Sequence, residues 1–160
     1  MAEPVIVIDL GTQQLAFTDA HGATRSYAVS TSKHGAGERN GSLQTPRGRH
    51  RIRAKIGAEC PVGTVFVGRR ATGEIYSPEL ALSFPERDWI LTRILWLSGL
   101  EPGFNRLGEV DTMRRYIYIH GMPDSEATGS PGSIGCIRMR NADIVELFDR
   151  VAVGTTVIVE

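Results

Sequence analysis

The sequence has few cysteines, few lysines and no excess of charge of either sign. Cys60 and Cys136 are the two cysteines, which is too few for a disulfide framework, and no cysteine and histidine cluster has the spacing of metal ligands. The formal net charge at pH 7 is zero, so no strong field attracts nucleic acid or an anionic membrane. We therefore expect no metal, no cofactor, no nucleic-acid partner and no membrane partner.

A long apolar run is also lacking. No segment approaches the roughly 20 apolar residues that a membrane-spanning helix needs. The N-terminus has no basic region, no apolar core of signal-peptide length and no cleavage site, and Val5 to Asp9 already resembles a strand. The sequence therefore predicts a cytoplasmic location, or a periplasmic one if a signal peptide was removed.

The composition that remains is typical of a globular domain. The chain has 160 residues, of which 41% are hydrophobic and 22% are charged. This length and this balance allow one domain with a substantial core, so we expect a single domain over residues 1–160. We also expect a monomer.

Short apolar or alternating segments, separated by turn residues, predict a mostly β fold. The first three strands are expected at Val5–Asp9, Gln14–Thr18 and Arg25–Ser30, with turns between them, which indicates an antiparallel meander. The β-branched and aromatic content of residues 88–97 favours a strand there over a helix. Further strands are expected within residues 49–56, 62–69, 74–77, 116–120 and 155–159.

One helix is predicted near the C-terminus, between Asn141 and Gly154. Asn141 is a suitable N-cap residue, and Asp143 in the first turn suits the helix dipole. Apolar residues then recur at helical spacing and should pack on the core. These residues are Ile144, Leu147, Phe148 and Val151.

Two loops and one charged strand are candidate parts of a binding surface. Residues 31–48 and 99–112 are long loops, which in compact domains are usually functional, so they are candidate pocket walls. Arginines at positions 47, 49, 51 and 53 share one face of a strand. This stripe is either a solvated face or a basic wall that attracts a polyanionic substrate. Cys60, beside Pro61 in a turn, is expected to be a structural thiol.

The candidate chemistry lies between Tyr116 and Met139. Alternation places Tyr116, Tyr118 and His120 on one strand face, with His120 at the end of the strand. An eleven-residue loop follows Gly121, and Cys136 then comes directly after a glycine that leaves room for a substrate carbonyl. A neighbouring histidine can lower the pKa of a thiol and return its proton to a leaving amine. The pattern predicts a Cys/His hydrolase or acyltransferase.

These residues also carry a resemblance. The His120-Gly121 pair, a loop and the run from Ser133 to Met139 resemble the YkuD-type L,D-transpeptidase catalytic domain. The resemblance covers essentially the whole chain, and it implies a β-sandwich or barrel with one short C-terminal helix. Other matching segments are Gln14-Leu15, residues 27–30, Thr45-Pro46-x-Gly48, and the ending Asp143…Leu147…Gly154-Thr155-x-Val157.

The resemblance implies a role for each residue of the motif. Cys136 would be the nucleophile, His120 the base, and the Gly121 carbonyl the group that orients the imidazole. The amides of Ile134, Gly135 and Cys136 would form the oxyanion hole. The implied substrate-binding residues are Ser133, Tyr118 and Arg138, of which Arg138 is expected to bind a substrate carboxylate.

The resemblance also implies a substrate, a peptidoglycan stem tetrapeptide. The enzyme would attack the carbonyl at the L-centre of diaminopimelate, expel D-alanine and hold a thioester that water or an amine resolves. Many members have histidine where this chain has Ile134, and most cross-linking members carry a leader, which we do not find here. We therefore expect an L,D-carboxypeptidase of muropeptide recycling, with water as acceptor. The alternatives are an L,D-transpeptidase that cross-links or exchanges D-amino acids, and a non-catalytic muropeptide-binding module.

Overall fold

The computed structural model describes residues 2–160. Ten strands, two α-helices and one short 3-10 helix form within these residues. In chain order the elements are β1 (Val5–Asp9), β2 (Gln14–Thr18), β3 (Thr24–Ala28), β4 (Gly48–Ile56), β5 (Thr64–Val67), β6 (Arg70–Ile75), α1 (Pro78–Ser83), β7 (Ile90–Gly99), the 3-10 helix (Gly108–Val110), β8 (Tyr118–Met122), β9 (Ile137–Arg140), α2 (Asn141–Arg150) and β10 (Thr156–Val159).

All ten strands belong to one curled sheet, which confirms the predicted mostly β fold. The main path runs in the order β3-β2-β1-β10-β4-β7-β5-β6, and β8 pairs with β7 and carries β9 on its other edge. The β1–β3 meander is antiparallel as predicted, whereas β1 with β10 and β8 with β9 are parallel pairs. The parallel pair β8–β9 matters most, because it bears the cysteine and histidine motif.

The main core lies between the concave face of the sheet and α2. Alternate residues of the strands point into it, as the period of two requires. Ile8, Leu95 and Ile119 are fully buried there, and Ile144 and Leu147 of α2 pack on the same cluster. A fully buried Ile or Leu contributes about 1.5–3 kcal/mol relative to an exposed one, so this layer anchors β7 and β8. None of the helices within residues 2–160 has the length and apolar character that crossing a bilayer requires.

The hairpin β5–β6 and the helix α1 differ from the sequence prediction. The predicted strands within residues 62–69 and 74–77 leave residues 70–73 between them, but β6 begins at Arg70, because the turn lies at Gly68 and Arg69, which both have positive φ. A two-residue turn of this kind suits the twist of a hairpin. The helix α1 was not predicted; its Ser77 caps it by accepting a hydrogen bond from the Leu80 amide.

The start of α2 also corrects the sequence prediction. The N-cap position is Arg140, with no side-chain cap, and Asn141 is the first helical residue. The buried Asn141 amide group donates to the Met122 carbonyl and to Asp124 Oδ1, and its Oδ1 accepts from Thr92. Asn141 therefore links α2 to β7 and to the end of β8 instead of capping its own helix. The helix ends at Arg150, earlier than the predicted Gly154.

The arginine stripe lies on the outer face of β4. All four side chains are exposed, and Arg47 forms an ion pair with Glu38 at 2.9 Å. Arg53 lies 5.9 Å from the centre of the Trp96 ring. This exposure agrees with a solvated face, and the attraction of a polyanion to the stripe stays a prediction.

Candidate active site

The parallel register of β8 and β9 brings the cysteine and the histidine onto one face. Ile119 lies opposite Ile137, and His120 lies opposite Arg138. Both isoleucines point into the main core, so the residues that alternate with them point the other way. Cys136, directly before β9, therefore shares a face with His120. Tyr118 and Cys136 contribute to a smaller apolar cluster on this face.

The Cys136 thiol makes hydrogen bonds with two backbone groups at the start of β8 and just before it. The Tyr118 amide donates a hydrogen bond to Sγ at 3.3 Å, and Sγ donates to the Tyr116 carbonyl at 3.4 Å. Desolvation by burial raises the pKa of the thiol to about 12, although the Tyr118 amide opposes this shift. This direction is opposite to the lowering of the thiol pKa that a neighbouring histidine is expected to cause. A base must remove the proton as the sulfur attacks.

His120 has the features of that base. Its side chain is buried, and its Nδ1 lies 2.6 Å from the Gly121 carbonyl oxygen. A carbonyl accepts only, so this contact assigns the proton to Nδ1 and leaves a lone pair on Nε2. Nε2 is buried and has no hydrogen-bond partner among residues 2–160. Burial lowers the pKa of the imidazole, against the Gly121 hydrogen bond, so His120 is neutral at pH 7.

The position of His120 in its strand differs from the prediction. We expected it at a strand end, but β8 continues through Gly121 to Met122, and Tyr116 lies outside the strand with a φ of 56°. Only glycine fits at position 121, because a Cβ there would lie 2.5 Å from Asn141 Oδ1 and 2.6 Å from the Leu91 carbonyl oxygen. The carbonyl that orients His120 therefore belongs to a tightly packed backbone segment.

The turn before Cys136 is built from side-chain contacts to the backbone. Ser133 Oγ donates to the Cys136 carbonyl at 2.6 Å and accepts from the Gly135 amide at 3.2 Å. Thr45 Oγ1 donates to the Gly135 carbonyl at 2.9 Å. Gly135 has a φ of 135°, and a Cβ there would lie 3.2 Å from the Ile117 Cδ1 atom. Backbone conformation and packing therefore explain this glycine, rather than room for a substrate.

The predicted oxyanion hole is only partly available in this structure. The Gly135 amide is already engaged by the Ser133 hydroxyl. The amides of Ile134 and Cys136 have no hydrogen-bond partner in the part of the chain that the structure describes. These two amides remain the candidate oxyanion donors.

Arg138, the predicted carboxylate-binding residue, is already paired. One of its terminal nitrogens donates to Glu126 at 3.1 Å and the other donates to Ser30 Oγ at 3.0 Å. These contacts tie β9 to the loop after β8 and to the chain after β3. Both terminal nitrogens are thus engaged within the chain, whereas the buried Nε has no hydrogen-bond partner among residues 2–160. A carboxylate-binding role for Arg138 stays a prediction.

A cavity of about 540 Å³ opens directly beside Cys136. Its charged lining residues, Arg69, Asp88 and Arg115, were not predicted as site residues. Leu43, from the predicted pocket wall at 31–48, lines it, but no residue of the loop 99–112 does. That loop packs at the start of β4 instead, where Asn105 donates to the carbonyls of Arg47 and Arg49. Other lining residues are Tyr118 and Ile134.

The sequence contains a signal for Arg69 and Arg115, the two cavity arginines that were not predicted. Arg69 follows a glycine in the hairpin turn, and Arg115 lies three residues before β8, the strand that bears the histidine. Their approach to Cys136 depends on the pairing of β7 with both β5 and β8, which brings the two segments together. Cys60 is half-buried and packs against the smaller cluster of Phe66, Ile94 and Tyr118, which agrees with a structural thiol.

The curled β-sheet thus places a half-buried thiol and a buried imidazole on one face of the β8–β9 pair. The chain belongs to the YkuD family of L,D-transpeptidase catalytic domains, whose family model matches residues 3–159. This match confirms the family that the motif suggested. No curated protein matches the chain.

Several solved structures share the fold. An L,D-transpeptidase from Mycobacterium smegmatis has a TM-score of 0.59 and 24% identity, covering 99% of this chain and 59% of its own. L,D-transpeptidase 3 from Mycobacterium tuberculosis, with a faropenem-derived adduct, has a TM-score of 0.59 and 16% identity, covering 98% and 60%. An L,D-transpeptidase from Xylanimonas cellulosilytica has a TM-score of 0.55 and 20% identity, covering 98% and 60%. The present chain thus spans about three-fifths of the length of these proteins.

Proposed function

We propose that this domain is a cysteine acyl-transfer enzyme that acts on peptidoglycan stem tetrapeptides. It cleaves the bond between the L-centre of diaminopimelate and the terminal D-alanine. The observation that carries the proposal is the buried Nε2 of His120, which has no hydrogen-bond partner within residues 2–160 and shares a strand face with Cys136. A buried acceptor without a partner is costly, and a proton-transfer role explains why it is kept.

The first half-reaction uses the neutral thiol and the neutral imidazole. His120 Nε2 takes the proton from Cys136 Sγ as the sulfur bonds to the substrate carbonyl carbon. The carbonyl oxygen becomes an oxyanion, which the amides of Ile134 and Cys136 stabilise; one such donor is typically worth about 3–4 kcal/mol. The proton on Nε2 then passes to the D-alanine nitrogen, the C–N bond breaks, and a thioester on Cys136 remains.

The Gly121 carbonyl supports both proton transfers. Its 2.6 Å contact with Nδ1 holds the ring and keeps the proton on that nitrogen. When Nε2 is protonated, the imidazolium donates to the same carbonyl, and that hydrogen bond becomes charge-assisted and stronger. Gly121 therefore acts as a positioning residue through its backbone, in the role predicted from the sequence.

Water is the proposed acceptor in the second half-reaction. The cavity beside Cys136, about 540 Å³, lies within the range that proteins use for one small ligand, so one stem peptide occupies it. His120 removes a proton from water as the new C–O bond forms, and the C–S bond breaks to return the thiol. The product is a tripeptide, as expected of an L,D-carboxypeptidase.

Transpeptidation is the second candidate, and the family match supports it. The chemistry up to the thioester is identical; an amine of another stem peptide or a D-amino acid replaces water. The products then differ in mass, because amine attack gives a cross-linked dimer or an exchanged tetrapeptide instead of a tripeptide.

The test is incubation of the purified domain with a disaccharide-tetrapeptide, with and without an excess of a D-amino acid, followed by mass spectrometry. Tripeptide and D-alanine support the carboxypeptidase, whereas dimers or exchange products support the transpeptidase. Cys136→Ala should abolish both, while Cys60→Ala serves as the matched control. Intact tetrapeptide, without any acyl adduct on Cys136 after carbapenem treatment, would indicate a non-catalytic muropeptide-binding module.

The cytoplasmic location and the monomeric state form part of the proposal. A cytoplasmic enzyme meets soluble muropeptides during recycling, not the polymeric wall. Cell fractionation of the full-length gene product and light scattering of the purified domain test these two points.

A further inference from the structure

One arginine beside the Cys136 cavity is held by aromatic rings instead of a carboxylate. Arg69 lies in the turn between β5 and β6, with a φ of 66°, and its side chain folds back over the strands. Its guanidinium carbon lies 4.8 Å from the centre of the Trp96 ring and 4.7 Å from that of Tyr116. This stack fixes the planar group in place, so little side-chain entropy is left to lose on binding.

Most of the hydrogen-bonding capacity of Arg69 is unused. A guanidinium has five N–H donors, and within residues 2–160 this one makes a single hydrogen bond, from a terminal nitrogen to Tyr118 Oη at 3.0 Å. No carboxylate of those residues lies within 4.0 Å of it, whereas Arg47 and Arg87 each pair with a glutamate. The remaining donors are therefore available to a ligand in the cavity.

The other arginine of the cavity is not equivalent. Arg115 donates to the Gly37 carbonyl at 3.2 Å and to the Gln44 carbonyl at 2.6 Å. These bonds hold the loop 31–48 against the segment before β8, so the guanidinium of Arg115 has a structural role. Asp88 contributes one negative charge to the same cavity, against two positive ones. The charge around Cys136 thus favours an anionic group of the ligand.

Tyr118 contacts both Arg69 and the nucleophile. The Tyr118 amide contacts Sγ at 3.3 Å, and the hydroxyl of the same residue contacts Arg69 at 3.0 Å. One tyrosine therefore separates the sulfur from the guanidinium. A carboxylate a few bonds away from the attacked carbonyl reaches the guanidinium while that carbonyl reaches the sulfur.

We propose that Arg69 is a specificity-determining residue that binds a free carboxylate of the peptide acylating Cys136. The inference rests on the proposed function and assigns to Arg69 the role that the sequence suggested for Arg138. The planar fork of arginine matches a carboxylate with two parallel hydrogen bonds. The carboxylate belongs to the terminal D-alanine or to the side chain of the preceding diaminopimelate.

The main test measures binding, so that it does not depend on turnover. In a Cys136→Ala background, the Kd is measured by calorimetry for the tetrapeptide and for two analogues, one with a C-terminal carboxamide and one with a side-chain carboxamide on diaminopimelate. Arg69→Gln should raise the Kd for the tetrapeptide about 10- to 100-fold, which is the usual range for a hydrogen-bonded charged pair. To the protein that keeps Arg69, one of the two amide analogues should bind as weakly as the tetrapeptide binds to Arg69→Gln. The Kd of that analogue should not rise further in Arg69→Gln. That amide identifies the carboxylate.

Two further variants serve as controls. Arg70→Gln removes the neighbouring exposed arginine of the same hairpin and should leave the Kd unchanged. Arg69→Lys keeps the charge without the fork and should bind with an intermediate Kd. Thermal unfolding of Arg69→Gln and Arg70→Gln checks that both variants fold alike.

Release of D-alanine by the protein with its native Cys136 separates failure of the inference from failure of the proposed function. If D-alanine is released but Arg69→Gln neither weakens binding nor removes the acid-over-amide preference, the inference is overturned and the function stands. If binding depends on Arg69 but no D-alanine or acyl-enzyme appears, the function fails and the carboxylate site stands. Absence of both binding and release overturns both.

Discussion

Two buried histidines of this protein make the same first contact and differ in the second. His50 of β4 and His120 of β8 are 0% and 1% exposed, and each Nδ1 lies near a backbone carbonyl, at 3.0 Å from Gly48 and 2.6 Å from Gly121. Burial lowers the pKa of both, that of His50 to about 4. The Nε2 of His50, however, lies 2.9 Å from the Thr112 hydroxyl, whereas the Nε2 of His120 has no partner in the described chain.

This difference separates a structural histidine from a candidate catalytic one. A buried polar atom without a partner costs about 1–3 kcal/mol, so a fold that needs only packing satisfies it, as Thr112 does for His50. At His120 the same atom is left open on the face that carries the thiol. Burial and a lowered pKa do not by themselves indicate function, because both rings have them.

The largest expected effect is on turnover. His120→Gln removes the proton acceptor and should lower kcat/KM for D-alanine release about 100- to 10,000-fold, the usual contribution of a general base. His50→Gln should stay within a few-fold of the unchanged protein, because His50 lies outside the cavity. Initial rates are compared after circular dichroism confirms that both variants are folded. Similar losses in the two variants would refute the distinction between the two rings.

The next effect is on stability at low pH. An unfolded histidine has a pKa near 6.5, and folded His50 has one of about 4, so its contribution is complete above pH 6.5 and is lost as the pH falls through 4. The loss should reach about 3 kcal/mol, because the unfolded chain takes up the proton first. His120 acts in the same direction. Urea unfolding between pH 4 and 7.5 should show this slope, and His50→Gln should flatten it; an unchanged slope would mean that other groups cause the acid loss.

The smallest effect is expected when His50 Nε2 loses its hydrogen-bond partner, as His120 Nε2 already has none. Thr112→Val removes the partner of His50 Nε2 and should lower the free energy of unfolding at pH 7 by about 1–3 kcal/mol. Turnover should be unaffected, because Thr112 does not line the Cys136 cavity. Urea unfolding measures the change, with Thr12→Val, an exposed threonine of the turn between β1 and β2, as the control. If the two variants are equally stable, the Thr112 contact contributes nothing to holding His50.

Sequence patterns predicted the parts of this protein that depend on neighbours along the chain. Alternation found most strands, and helical spacing found the buried face of α2 formed by Ile144, Leu147 and Phe148. The predictions failed where a side chain has distant partners. Asn141 suits an N-cap, yet its contacts with Thr92 and Met122 lie 49 and 19 residues away. The same reason explains Arg138, which pairs with Ser30, 108 residues distant.

The sequence by itself determined the β class, the family and the two residues of the candidate chemistry, Cys136 and His120, because periodicity and motifs are local properties. Only the tertiary structure decided which polar atoms are already satisfied. The register of β8 and β9 set His120 and Cys136 on one face. The pairing of β7 with β5 and β8 brought Arg69 to the cavity, where most of its donors are free, whereas Arg138 is paired with Glu126 and Ser30. Hydrogen-bond partners of buried groups depend on distances between segments far apart in the chain, and these distances exist only once the sheet has formed.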